Sequence, residues 1–66
     1  MQIQVNGEPL EVAPESNLSD LVAQLELSGK RIAIELNLEI VPRSLHAKTL
    51  LKEGDRVEIV HAIGGG

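Results

Sequence analysis

Polar and apolar residues alternate from the start of the chain: Gln2-Ile3-Gln4-Val5 puts β-branched residues on one parity, and Asn6-Gly7 follows. Both residues of that pair tolerate positive φ, which a two-residue hairpin turn demands, so the chain opens as a β-hairpin. Leu10-Glu11-Val12 resumes the alternation as the returning strand, and Pro9, with no N–H for a ladder, belongs on a sheet edge. Ala13-Pro14-Glu15-Ser16 breaks the pattern. The period then changes. Leu18, Leu21, Val22 and Leu25 recur at i, i+3, i+4 and i+7 and predict the single helix. Asn17 is its N-cap, and Asp20 sits where a carboxylate meets the positive helix end. Gly29 is the expected left-handed stop, with Lys30 and Arg31 just beyond the negative end.

Period two returns at Ile32, Ile34 and Leu36, interleaved with Arg31, Ala33 and Glu35, as a half-buried strand. Asn37-Leu38-Glu39 turns the chain into Ile40-Val41, which Pro42 ends. Between Arg43 and Leu51 no period holds. Leu45, Leu50 and Leu51 are the expected anchors there, under a loop or a short helical turn. Glu53-Gly54-Asp55 is a tight turn, and Arg56 to Ala62 is the last strand. One sheet with one helix packed across one face is the economical packing of this order, an α+β fold. Residues 1–63 are the expected domain and 64–66 a flexible glycine tail.

Composition narrows the function classes. A chain of 66 residues is one domain at most, without room for a cleft between lobes. With 42% hydrophobic residues it is globular, and with 0% aromatics its core rests on Leu, Ile, Val and Ala, so stability is expected to be modest. There is no cysteine, which removes disulfides, thiolate ligands and a thiol nucleophile and fits a reducing, cytoplasmic home. Apolar runs such as Leu21-Val22-Ala23 and Ile32-Ala33-Ile34 are too short for a membrane span or signal-peptide core, and no basic leader precedes them. A net charge of −4, with no ring to stack on a base, argues against nucleic acid and anionic lipid and leans toward a basic groove on another protein.

The catalytic inventory is thin. His46 and His61 are the only histidines, and any metal site would need carboxylates from elsewhere, so both are expected to be packing or surface residues. Ser16, Ser19, Ser28 and Ser44 fit caps and turns, without the flanking glycines of a nucleophile elbow. The exception is Gly64-Gly65-Gly66, the last three residues, directly after a strand. Without side chains they can thread a tunnel too narrow for any Cβ, which makes the carboxylate of Gly66 a reachable functional group.

Three stretches carry a family resemblance: Ile3-Gln4-Val5-Asn6-Gly7-Glu8, then Glu35-Leu36-Asn37-Leu38-Glu39-Ile40-Val41-Pro42-Arg43, and Gly54-Asp55-Arg56-Val57-Glu58-Ile59-Val60 running into the glycine end. Together they resemble the ThiS family of thiamine-biosynthesis sulfur carriers over essentially the whole chain. The resemblance implies the ubiquitin-like β-grasp fold, with first and last strands parallel at the sheet centre. It also implies that a ThiF-like activating enzyme uses ATP to adenylate the carboxylate of Gly66. A sulfur donor then displaces AMP, and the resulting thiocarboxylate delivers sulfur to a ThiG-like thiazole synthase. The carrier is on this reading a monomeric cosubstrate, not an enzyme, and binds no cofactor itself. The family's usual di-glycine maps onto Gly65 and Gly66, which leaves Gly64 as an added link.

Docking must come from the body of the domain. Val57 and Ile59 share a parity opposite to Arg56, Glu58, Val60 and Ala62, so with the first pair inward Val60 and Ala62 lie on the open face beside the tail, as candidate docking residues. Two other readings keep the fold: a molybdopterin-type sulfur carrier or a ubiquitin-like modifier, and a ubiquitin-fold binding module whose tail is unreactive.

Overall fold

Asn6 and Gly7 take φ of 51° and 84°, and Val5 lies directly across from Glu8, so the first turn is the expected two-residue hairpin. The computed structural model describes residues 1–61. Its elements are β1 (Gln2–Val5), β2 (Glu8–Glu11), α1 (Leu18–Gln24), β3 (Ile32–Leu36), β4 (Glu39–Val41), a 3-10 helix (Arg43–Lys48) and β5 (Arg56–His61). The strands form one sheet in the order β2-β1-β5-β3-β4. β1 and β5 run parallel at its centre, and the remaining neighbours are antiparallel. This mixed sheet with one helix across it is the ubiquitin-like β-grasp, and Pro9 lies on its edge strand.

Ile3, Leu18, Leu21, Ile34 and Val57 are the fully buried side chains, so the helix stripe and the inward parity of β1, β3 and β5 meet in one aliphatic core. Asn17 caps α1 reciprocally: its Oδ1 accepts from the Asp20 N–H at 2.8 Å while its own N–H donates to Asp20 Oδ2 at 2.9 Å.

The helix ends earlier than Gly29. Its C-cap is Leu25, followed by Glu26 at φ 59°. The Glu26 N–H donates to Ala23 O at 3.0 Å and the Leu27 N–H to Val22 O at 2.9 Å, the paired bonds of a Schellman stop built on a glutamate. Gly29, at φ 80°, instead turns the connection to β3, so Lys30 and Arg31 lie well past the helix end. The stretch without a period is the 3-10 helix. Pro42 precedes it at φ −64°, and three residues per turn bring Arg43 and His46 to one side. Leu51 is buried as an anchor, whereas Leu45 is exposed because this tight winding turns His46 inward, and Leu50, past the 3-10 helix and bridged to Asn17, points outward beside Leu51.

Candidate functional site

β5 leads to the glycine triplet, and its alternation sends Val57 and Ile59 into the core. On one flank β3 pairs along the whole strand, from Leu36 opposite Val57 to Ile32 opposite His61. On the other flank the partner runs out. β1 ends at Val5, after the N–H of Gln4 has donated to Asp55 O and that of Asn6 to Val57 O, each at 2.9 Å. The side chain of Asn6 then takes over: its Oδ1 accepts from the Ile59 N–H at 2.8 Å and its Nδ2 donates to Ile59 O at 3.2 Å.

A second asparagine grips the other end. The N–H of Asn37 donates to Arg56 O at 2.8 Å, and its Oδ1 accepts from the Arg56 N–H at 3.0 Å. Its Nδ2 reaches Asp55 Oδ1 at 3.1 Å, while Asp55 Oδ2 accepts from the Lys52 N–H at 2.7 Å, which satisfies a buried carboxylate. Sequence reasoning saw Asn6 and Asn37 as turn formers and missed that each amide also completes β5.

The sheet face turned away from the helix is the candidate docking surface. Val60, 58% exposed, lies there as its parity requires, directly opposite Ala33. Glu58 and Glu35 are direct neighbours in the next row, and Ile40 flanks Glu35 from β4 at 74% exposure. Side chains directly across a sheet are close enough for like charges to repel. The face thus combines exposed aliphatic residues with a carboxylate pair that Arg56 flanks on the same parity of β5, a match for a partner patch that is apolar and sets a Lys or Arg opposite the pair. Ile40 and the Glu35–Glu58 pair were not visible as a group in the sequence, because only the β3–β4 and β3–β5 registers bring them together.

Ala62, Gly64, Gly65 and Gly66 lie outside the described residues. Of the two histidines, His46 is buried, with its Nε2–H donating to Val41 O at 3.0 Å, and His61 is exposed at the end of β5 opposite Ile32. His46 is thereby a packing histidine that ties the 3-10 helix to β4. Among the described residues no three His, Asp or Glu side chains converge as metal ligands would.

Residues 3–66 match the model of the ThiS family. The chain is 38% identical over 66 residues to a thiazole synthase of Paramagnetospirillum magneticum, covering all of this chain and 20% of that protein. It therefore spans about a fifth of the length of that relative. It is 32% identical over 65 residues to the sulfur carrier protein ThiS of Bacillus subtilis, covering 97% of this chain and 98% of that one. Among solved structures, the crystal structure of a thiamine biosynthesis protein (ThiS) from Geobacter metallireducens superposes with a TM-score of 0.86 at 35% identity, covering 100% of each chain.

Proposed function

The chain belongs to the ThiS family of sulfur carriers in thiamine biosynthesis, and on that footing we propose that it carries sulfur as a thiocarboxylate on Gly66. A free carboxylate is a poor acyl donor, because neither oxygen leaves easily. In the proposed cycle a carboxylate oxygen of Gly66 attacks the α-phosphorus of ATP on a ThiF-like activating enzyme and releases pyrophosphate. A sulfide-level nucleophile then attacks the acyl carbon. The C–S bond forms, the C–O bond to AMP breaks, and the new sulfur is a better nucleophile than the oxygen it replaced.

The acceptor in this reading is a ThiG-like thiazole synthase. The observation that carries it is the full-length match of this chain to about a fifth of a thiazole synthase, since a domain joined to an enzyme in one protein commonly serves that enzyme when separate. In this proposal the chain is a cosubstrate that works as a monomer in the cytoplasm, with ATP bound by its partner. Gly64 and Gly65 thread the partner's tunnel, and Val60 and Ala62 sit at the docking face.

The test is the intact mass of the protein purified from its own cells without oxidation. A fraction heavier by the sulfur-for-oxygen difference, localised to the Gly66 fragment, is the expected result. Only free carboxylate, even after incubation with ATP, the activating enzyme and a sulfur source, would overturn the proposal in favour of a docking module.

A further inference from the structure

On the helix side of the sheet, between α1, the connection after it and the 3-10 helix, lies a cleft of about 270 Å³. Its polar lining is Ser19, Ser28, Lys30, Arg43 and His46, the last with its Nε2–H already given to Val41 O. In a chain with net charge −4 this cleft has two cations and no acid in its wall. Among the described residues neither cation has a carboxylate in ion-pair contact. The Arg43 guanidinium is held in place, with one Nη2–H donating to Lys30 O at 3.0 Å. Its remaining N–H groups keep the planar fork that suits an oxyanion.

We propose that this cleft binds the phosphate group of a small aliphatic phosphate monoester. Two positive charges, one of them held in place, match a phosphate dianion, and the Ser19 and Ser28 hydroxyls add neutral donors of the kind phosphate oxygens accept. The volume lies just under the range of drug-sized sites, which suits a small ligand. The apolar part of the wall is Val22, Leu27 and Ile32, all aliphatic, which suits an aliphatic ester carbon. Ile32 faces the core side of the sheet across from His61, whereas Val60 points to the opposite face. The cleft therefore stays accessible while the outer face is docked, and this binding function is separate from the chemistry of Gly66.

Titration of the 15N-labelled full chain with glycerol 3-phosphate and, separately, inorganic phosphate tests the proposal, at constant ionic strength. Saturable shifts of the Gly29 and Lys30 amides are expected, with a Kd on the order of 1 mM. Tighter binding of the ester identifies a phosphorylated metabolite as the source, and equal binding identifies free phosphate. Lys30→Gln and Arg43→Gln should each weaken binding about fivefold or more, while Lys52→Gln, outside the cleft, leaves it unchanged. If Arg43→Gln loses its dispersed spectrum, Lys30→Gln carries the test alone. Shifts that never saturate, or that persist unchanged in Lys30→Gln, would overturn the proposal. Neither result depends on whether Gly66 carries sulfur.

Discussion

The carboxamide of Asn6 bonds both backbone groups of Ile59, with Ile59 N–H to Oδ1 at 2.8 Å and Nδ2 to Ile59 O at 3.2 Å. One side chain thus stands in for the residue of β1 that the hairpin turn removes. The same residue holds φ 51°, so its two tasks, turning the chain and completing β5, are separable by substitution. Asn6→Gly keeps the backbone conformation and removes the amide. It is expected to cost about 2 kcal/mol, one net hydrogen bond each for two partly buried groups. Amide exchange should speed up at Ile59 and remain slow at Val57, which the backbone of β1 still flanks. Equal protection at both positions would show that the amide does not hold the strand.

Much of the fold is legible because its signals are local. Asn6-Gly7, the Leu18-to-Leu25 spacing and the inward Val57 and Ile59 each need only a few consecutive residues to be read. The grip of Asn6 on Ile59 spans 53 positions, and no local pattern announces it. Glycine is the usual left-handed stop, which points to Gly29, yet Glu26 adopts φ 59° three residues before it and ends the helix there. Leucine is usually buried, which makes Leu45 and Leu50 look like anchors, yet the 3-10 winding gives the inward place to His46 rather than Leu45, and Leu50 faces out beside the buried Leu51. On the outer sheet face, the placement of Val60 follows from strand parity alone. Ile40 and the Glu35–Glu58 pair required the cross-strand register.

Glu26 is an exposed side chain in a left-handed backbone, where an L-residue costs roughly 1–2 kcal/mol. Glycine removes that cost, but its greater freedom in the unfolded chain returns about 0.4–1 kcal/mol. Glu26→Gly is therefore expected to stabilise the protein by about 0.5 kcal/mol. That corresponds to a rise in Tm of roughly 2–4 °C for a domain this small. A fall in Tm on thermal denaturation would place the helix stop elsewhere.

Glu35 and Glu58 face each other across β3 and β5, and like charges so placed are destabilising. Glu58→Lys converts repulsion to attraction and should raise stability by about 0.5–1.5 kcal/mol in urea titrations at low salt. The gain should shrink as salt is added. If the carboxylate pair helps a basic partner surface to dock, the same variant should bind the activating enzyme more slowly, with the loss mainly in the association rate. A more stable variant with an unchanged association rate would leave the pair without a part in docking.

Val60 and Ile40 are 58% and 74% exposed on the outer face, so neither contributes much to the core and both are open to a partner. An aspartate at either position places an unpaired charge where an apolar interface would exclude water. Val60→Asp and Ile40→Asp should each weaken binding of the activating enzyme by about 2 kcal/mol, or roughly thirtyfold in Kd. The folded state should lose no more than about 1 kcal/mol, the span of strand propensities at a half-exposed site. Val60→Thr keeps the β-branched shape and is expected to lie between wild type and Val60→Asp in affinity. Calorimetric titration of the enzyme with each variant, alongside urea denaturation, separates the two effects. Unchanged affinity for both aspartate variants, with folding intact, would move the docking surface off this face and leave Val60 as an ordinary exposed strand residue.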